Sequence, residues 1–251
     1  MKLLLLDIET APNVAHVWGL YNQNVGINQI LSTGYVMCLA AKWVGEDDVT
    51  FRSIQHHGRK KMLAKVHSLL DRADAVITYN GQKFDLPTLR KEFLIERMLP
   101  PAPFKSIDLY RVMKSEFRFA SNKLDHVLRE LKIGKKIAHK GHDLWTACMA
   151  GDKDAWERMR AYNINDVVQM EPLYQRLLPW IRVHPNAGLY DEPGIPVCVN
   201  CGSGKLQRRG YAKTLANKYV RLQCQSCGTW CREPVSEMGR EDRAVMLRRA
   251  V

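Results

Sequence analysis

Acidic residues stand where predicted strands end in two places. Asp7 and Glu9 close an apolar run that begins at Lys2, and Asp85 follows the short apolar run at 75–78. Side chains two residues apart on a strand point to one face, so the carboxylates of Asp7 and Glu9 lie together. Oxygen ligands of this kind favour a hard divalent cation such as Mg²⁺ or Mn²⁺. Two solvated acids at a strand end would share this spacing, so the pattern is weak alone.

A tyrosine and an aspartate form the third chemical feature. Tyr162 and Asp166 stand four residues apart in a predicted helix over 154–178, so their side chains share one helix face. A phenol hydroxyl and a carboxylate can therefore meet at one site.

These segments, taken in order, resemble the three exonuclease motifs of the DEDD 3′–5′ exonucleases. The first and second are Asp7-Ile8-Glu9-Thr10 and Tyr79-Asn80-Gly81 through Phe84-Asp85, and the third is Tyr162-x-x-x-Asp166. The tyrosine four residues before the last aspartate resembles the DEDDy branch of this superfamily, which includes the proofreading domains of DNA polymerases. The resemblance covers residues 1–182. It implies an α/β fold of the RNase H-like type, with a mixed sheet flanked by helices, and 3′–5′ exonuclease activity.

The same resemblance implies roles for individual residues. Asp7, Glu9, Asp85 and Asp166 would hold two Mg²⁺ or Mn²⁺ ions, and Tyr162 would orient the attacking water. Single-stranded DNA is the favoured substrate. Residues just after the first motif lie near the substrate's 3′ end in this superfamily. Trp18 and Tyr21 are therefore candidates for stacking on bases of the substrate. Asn80 is a further candidate for substrate contact.

The elements that must position these residues follow from hydrophobic periodicity. Apolar or alternating runs predict strands at 2–7, 35–44, 49–54 and 75–78. The 3.6-residue spacing predicts helices at 60–72, 86–97, 109–117, 123–131 and 154–178, with no strand between the second and third motifs. Asp108 and Asp125 are interpreted as acids at helix N-termini.

Cysteines are concentrated near the C-terminus. Cys198-x2-Cys201 and Cys224-x2-Cys227 are separated by 22 residues, and a glycine follows each second cysteine. Two thiolate pairs at this spacing can hold one tetrahedral Zn²⁺, and predicted strands at 205–209 and 219–223 make the module a zinc ribbon. A disulfide framework, the alternative, is typical of secreted proteins. Cys231 is interpreted as a ribbon-strand residue.

Positive charge is concentrated in the same region. The chain has 38 Lys and Arg against 26 Asp and Glu, and residues 198–251 carry eleven basic against four acidic side chains. A polyanionic partner is therefore expected, DNA by preference and RNA as an option. Arg208 and Arg209 are candidate contacts to nucleic acid. The alternative for the ribbon is a docking surface for a replication or repair protein.

A proline- and glycine-rich stretch divides the sequence into predicted domains. We expect an exonuclease domain at 1–184, a linker at 185–196 and the zinc ribbon with a basic tail at 197–251. The apolar run at 3–6 is too short for a membrane helix or a signal peptide. We therefore expect a cytoplasmic protein that does not bind a membrane. Two other functions stay open: an RNA-trimming nuclease, and a non-catalytic nucleic-acid-binding protein on the same scaffold.

Overall fold

The structure is a computed structural model that describes residues 1–137, 141–190 and 194–247. The chain divides into two compact units. One comprises residues 2–174, and the other comprises residues 175–251 with Met1. None of the described helices combines the length and the apolar character needed to cross a membrane.

The unit of residues 2–174 is built on a mixed sheet. Its described strands are β1 (Leu3–Thr10), β2 (Val14–Ala15), β3 (Ile30–Ser32), β4 (Val36–Trp43), β5 (Val49–Ser53), β6 (Ala75–Thr78) and β7 (Lys105–Asp108). Five strands form one sheet in the order β5-β4-β1-β6-β7, and β2 pairs with β3. Strand β1 is antiparallel to β4 and parallel to β6. The predicted mixed α/β fold is therefore confirmed.

Strand β1 lies at the centre of this sheet. Its residues 3–6 are buried, because a central strand is covered on both faces and can be apolar throughout. The apolar run ends at Asp7. In the antiparallel ladder with β4, Asp7 pairs with Ala40 and Glu9 pairs with Cys38, so small side chains stand beside both carboxylates.

Helices accompany the sheet along the chain. They are α1 (Ile54–His57), α2 (Arg59–Asp71), α3 (Asp85–Ile95), α4 (Leu109–Glu116), α5 (Leu124–Glu130), α6 (Asp143–Met149) and α7 (Lys153–Leu177). The buried side chains of α2 recur at the predicted helical spacing, at Met62, Leu63, Val66, Leu69 and Leu70. They join the main hydrophobic core with side chains from β1, β4 and α3.

Several short elements were not predicted from the sequence pattern. Among them are strand β7, which interrupts the predicted run of helices between the second and third motifs, and helix α6, which precedes α7. In β7, Lys105 is exposed and Ser106 is half-buried, so no hydrophobic alternation marks the strand. It forms because it pairs in parallel with β6.

The unit of residues 175–251 contains a second sheet. Two 3₁₀ turns, Leu178–Trp180 and Ala187–Leu189, precede β8 (Leu206–Lys213), β9 (Lys218–Cys224), β10 (Trp230–Ser236) and helix α8 (Arg240–Ala244). The strands form an antiparallel sheet in the order β10-β9-β8. Cys231 lies in β10, as expected of a ribbon-strand residue.

The division between the units falls before the predicted linker at 185–196, of which 191–193 lie outside the described residues. Asn200 is buried and donates from Nδ2 to the carbonyl oxygen of Leu178 at 2.7 Å. The amide of Ala187 donates to the carbonyl oxygen of Val199 at 2.7 Å. Pro179 follows the end of α7, and these hydrogen bonds tie the residues after the helix to the ribbon.

Candidate active site and cysteine cluster

Three carboxylates converge at the centre of the first unit. Asp7 and Glu9 project from one face of β1, and Asp166 comes from α7. One carboxylate oxygen from each lies within 4.8 Å of the other two. The structure thus brings Asp166 to Asp7 and Glu9, which precede it by at least 157 residues in the sequence. Such a set of oxygens suits a hard divalent cation.

Asp85 lies beside this cluster at the start of α3. Its side chain is 4 % exposed, and Oδ1 accepts a hydrogen bond from the backbone amide of Ile8 at 3.1 Å. Ile8 separates Asp7 from Glu9 on β1. This bond fixes the fourth predicted acid next to the strand that carries the first two.

The protonation of these acids reflects their crowding. Burial raises the pKa of Asp7 well above its ordinary value, and the carboxyl groups of Asp85, Glu9 and Asp166 raise it further. Burial and the charge of Asp166 raise the pKa of Glu9 to about 7. Burial also raises the pKa of Asp85 to about 7, against backbone hydrogen bonds that lower it. A divalent cation among these groups would favour their ionised forms, so the residues fit a metal site.

Lys136 is a member of the site that the sequence analysis missed. Its Nζ lies 2.5 Å from Oδ2 of Asp166 and donates to the Tyr162 hydroxyl at 3.0 Å. Burial alone would lower the pKa of Lys136, but Asp166 and Tyr162 together raise it. The segment around Lys136 has no helix or strand pattern, so no local signal distinguishes it from the neighbouring Lys135.

Asn163 was missed as well. Its side chain is fully buried, and Nδ2 donates to Oδ2 of Asp7 at 2.6 Å. A signal existed, since Asn163 and Asp166 stand three apart and share the face of α7.

Tyr162 is held among charged and aromatic neighbours. Its ring meets that of Trp145 edge to face at 6.0 Å, and Lys136 Nζ lies 5.0 Å from the ring centre. Burial, followed by the charge of Asp166, raises the pKa of Tyr162 to about 12. The phenol therefore keeps its proton at neutral pH. A hydrogen bond from the Trp145 side chain lowers the pKa of Glu9, against the effects that raise it.

The second motif forms a tight turn. Asn80 has a positive φ of 67°, and its amide donates to Oδ1 of Asp108 at 2.8 Å. A Cβ on Gly81 would lie 2.5 Å from Cβ of Thr78, so the turn requires glycine here. Asp108 also accepts from the amide of Tyr110 at 3.1 Å and caps α4, as predicted for an acid at a helix start.

An open groove of about 630 Å³ lies beside the acids. Its lining includes Asp7, Lys136 and Tyr162, together with Tyr79, Asn80 and Tyr110. The predicted contacts Trp18 and Tyr21 are 97 % and 84 % exposed and lie outside the described lining. The structure thus places Asn80 on the groove that Asp7 also lines and leaves the two aromatic rings in solvent.

More than half of the chain matches the model of a known protein family. A family model described as RNase_H superfamily, RNase_H_2, matches residues 25–178. The chain belongs to the RNase H superfamily. The matched range includes Asp85, Tyr162 and Asp166 and begins after Asp7 and Glu9. The RNase H-like fold expected from the motifs is confirmed.

A solved structure is similar to this RNase H superfamily protein. It is the family B DNA polymerase from the hyperthermophilic archaeon Pyrobaculum calidifontis, with a TM-score of 0.53 and 17% sequence identity. The similarity covers 71% of this chain and 24% of the polymerase, so the chain spans about a quarter of that protein's length. At this identity the likeness shows a shared fold. No curated protein matches the chain.

The four paired cysteines lie C-terminal to the region of the RNase H superfamily match. The sulfur atoms of Cys198, Cys201, Cys224 and Cys227 all lie within 4.8 Å of one another. The amides of Gly202 and Gly228 donate to the carbonyl oxygens of Cys198 and Cys224 at 2.9 and 3.0 Å. Four sulfurs in one cluster are the donor set of a structural zinc site, as expected for a zinc ribbon.

The cysteines of the cluster differ in how readily they ionise: burial raises the pKa of the Cys201 and Cys227 thiols, whereas that of Cys224 is lowered. Burial opposes ionisation of Cys224, but hydrogen bonds from the backbone amides of Cys227 and Ser226 lower its pKa to about 7. Cys231 lies outside the cluster of four and pairs with Leu222 across the sheet.

The two arginines predicted to contact substrate differ in their surroundings. Arg208 Nη2 donates to the Glu237 carboxylate at 3.0 Å and to the Tyr211 hydroxyl at 2.9 Å. Arg209 is exposed, and its carbonyl oxygen accepts from Nε of Arg221 at 3.0 Å. The charge of Arg208 is therefore partly compensated within its own unit.

Proposed function

We propose that this RNase H superfamily protein is a metal-dependent nuclease that removes nucleotides from the 3′ end of DNA, with single strands as the favoured substrate. The convergence of the Asp7, Glu9 and Asp166 carboxylates within 4.8 Å carries the proposal. Tyr162 lies one helical turn before Asp166, and this combination resembles the DEDDy exonucleases. The similarity to a polymerase fold supports DNA as the substrate.

Asp7, Glu9 and Asp166 would hold one Mg²⁺ or Mn²⁺ ion, and Asp85 would contribute to a second. Such ions lower the pKa of water and neutralise negative charge on the reacting phosphate. The surrounding residues keep the acids in place. Asn163 holds the Asp7 carboxylate, and the amide of Ile8 holds that of Asp85.

Tyr162 and Lys136 would act on the attacking water and the phosphate. A phenol with a pKa of about 12 cannot remove a proton at neutral pH, so Tyr162 orients the water by a hydrogen bond. The contact from Lys136 Nζ fixes the Tyr162 oxygen. Lys136 also places a fixed positive charge at the site, which stabilises negative charge that develops on the phosphate.

The groove beside the acids would receive the terminal nucleotide. Its volume of about 630 Å³ lies in the range of small-ligand sites. Asn80 offers an amide for hydrogen bonding, and Tyr79 and Tyr110 offer ring surfaces. The exposed rings of Trp18 and Tyr21 remain candidates for stacking on bases further along the strand.

The zinc ribbon completes the proposal. Cys198, Cys201, Cys224 and Cys227 would hold one Zn²⁺, which stabilises a unit whose own core is small. The chemistry would reside in the region predicted as residues 1–184, and the ribbon at 197–251 would serve binding.

A time course on end-labelled oligonucleotides tests the activity. The substrates are single- and double-stranded DNA and single-stranded RNA, with Mg²⁺, with Mn²⁺, or with EDTA followed by excess Mg²⁺. We expect a 5′ label to give a ladder that shortens stepwise and a 3′ label to be released as a mononucleotide. Internal fragments would indicate an endonuclease, and faster loss of RNA would indicate an RNA-trimming enzyme. Binding without cleavage would indicate a non-catalytic protein.

Two double variants show whether cleavage belongs to the proposed site. Asp7→Ala/Asp85→Ala removes two of the four acids, and we expect no cleavage from it. Asp47→Ala/Asp48→Ala removes two exposed acids elsewhere and should cleave at the wild-type rate. Wild-type cleavage by the first variant would contradict the site assignment.

A further inference from the structure

Each face of the ribbon sheet carries its own group of basic and aromatic side chains. Across strands β9 and β10, Arg232 stands directly opposite Arg221, and Tyr219 lies two residues before Arg221 on the same face. Trp230 pairs with Gln223, two residues after Arg221, and so shares this face. We call Tyr219, Arg221, Trp230 and Arg232 the Arg221 face.

Each arginine of the Arg221 face lies over an aromatic ring. The guanidinium carbon of Arg221 is 4.9 Å from the Trp230 ring centre, and that of Arg232 is 4.1 Å from the Tyr219 ring centre. Both arginines are exposed, and Trp230 is 51 % exposed. A guanidinium stacked on a ring keeps its N–H groups at the edge, where they can bind an anion.

The Arg221 face carries two positive charges side by side. Like charges directly opposite each other on antiparallel strands repel. In the part of the chain that the structure describes, neither Arg221 nor Arg232 forms an ion pair with a carboxylate. The cation–π contacts offset part of the repulsion, and an anion bound between the two guanidinium groups would offset more.

The opposite face of the sheet is different. Arg208 pairs with Glu237, and Lys218 Nζ lies 3.8 Å from the ring centre of Tyr211. Tyr211 pairs across the strands with the buried Val220. These basic residues therefore border the apolar side of the sheet, and one of them already has an acidic partner.

We propose that the Arg221 face binds single-stranded nucleic acid, with Arg221 and Arg232 on phosphates and the Trp230 ring against a base. The choice of ligand rests on the proposed nuclease function. A single strand offers both phosphates and unpaired base faces, so it uses the arginines and the half-exposed tryptophan together. An acidic peptide would use the arginines alone.

Salt-dependent binding tests this face in the full-length protein. An Asp7→Asn background suppresses cleavage, and the probe is a fluorescent thymidine 20-mer with Mg²⁺. Arg221→Gln/Arg232→Gln should lower the slope of log affinity against log salt by about 1.4, roughly 0.7 for each lost phosphate contact. The matched control, Lys213→Gln/Lys218→Gln, removes the same charge from a directly paired position on the opposite face and should keep the slope. Trp230→Leu should weaken binding at every salt concentration without changing the slope.

Several outcomes would overturn the proposal. The first is an unchanged salt slope in Arg221→Gln/Arg232→Gln, and the second is an equal fall of the salt slope in the control variant. The third is competition by polyglutamate that is as strong as competition by the 20-mer, which would assign the face to an acidic protein partner. Zinc content verifies that each variant is folded. If the double variant loses zinc, the single variants Arg232→Gln and Trp230→Leu decide the same question.

A small substrate separates this proposal from the proposed function. The p-nitrophenyl ester of thymidine 5′-monophosphate contains one phosphodiester and has no strand for the ribbon to bind. Variants of the Arg221 face that keep Asp7 should hydrolyse it at the wild-type rate with Mn²⁺. Absence of hydrolysis by the wild-type protein would count against the nuclease assignment, whereas wild-type hydrolysis with an unchanged salt slope would count against the Arg221 face alone.

Discussion

Nδ2 of Asn163 lies 2.6 Å from Oδ2 of Asp7 and joins helix α7 to strand β1. Asn163 is fully buried and stands one residue after Tyr162. One helix thus supplies the carboxylate of Asp166, the hydroxyl of Tyr162 and the amide that orients Asp7. The helix and the central strand are held in one arrangement at the point where the acids meet.

Loss of this amide should weaken metal binding. Asn163→Leu leaves the Asp7 carboxylate without its donor, so we expect the Mg²⁺ or Mn²⁺ concentration for half-maximal cleavage to rise by about 10- to 100-fold, as for other partners of metal ligands. Gln175→Leu removes an exposed amide from the same helix and is the matched control. Equal metal requirements in the two variants would refute the orienting role.

The Tyr162 hydroxyl should affect rate rather than metal affinity. Tyr162→Phe removes only the oxygen, so turnover should slow by up to about 100-fold, the cost of a misplaced reactant. The half-maximal metal concentration should stay the same. Because the pKa of Tyr162 is about 12, the pH dependence of the rate near neutrality should also be unchanged. Loss of a titration near neutral pH in this variant would show that Tyr162 acts as a base.

Lys136 should contribute through its charge. Lys136→Met removes the ammonium group beside Asp166 and Tyr162, and turnover should fall by roughly 100-fold, as for other preorganised stabilising groups. Lys135→Met changes an exposed neighbour and should retain the wild-type rate. A similar loss in both variants would point to the charge of the loop as a whole.

Without added Mg²⁺ or Mn²⁺, stability should depend on the proton of Asp85. Burial raises its pKa from an ordinary 3.8 to about 7 in the folded protein, so the folded state keeps a proton that the unfolded chain loses. The free energy of unfolding, relative to Asp85→Asn, should fall as pH rises from the ordinary value to about 7. The slope should reach about 1.4 kcal/mol per pH unit. Urea unfolding across this range measures it, and a rise with pH would reverse the assigned shift.

Zinc analysis should separate the four paired cysteines from Cys231. The full chain should contain one Zn²⁺, and Cys201→Ser should release it because a cluster of four loses a ligand. Cys231 lies in β10 outside the cluster, so the Cys231→Ser variant should retain the metal. Elemental analysis of the two variants makes the comparison, and loss of zinc from both would place Cys231 among the ligands.

Local patterns were sufficient for several features. The two-residue period of a strand placed Asp7 and Glu9 on one face, and the i, i+4 period of a helix placed Tyr162 beside Asp166. The spacing of the four cysteines predicted one cluster, and their sulfurs converge in the structure. The resemblance to the exonuclease motifs predicted the RNase H-like sheet. The paired acids, the tyrosine–aspartate pair and the cysteine cluster depend on short-range geometry that a sequence expresses directly, whereas the RNase H-like sheet was predicted from the resemblance alone.

Other features depended on long-range packing. Strand β7 has no pattern of its own and forms by pairing with β6. The ribbon's basic residues lie in one stretch of the sequence, yet the register of the sheet places Arg208 and Arg221 on opposite faces. Lys136 lies in a segment without periodicity, and only the folded chain brings its ammonium group to Asp166. The sequence determined which chemical groups this protein carries, whereas tertiary structure decided which are neighbours, because contacts between distant segments depend on the whole fold.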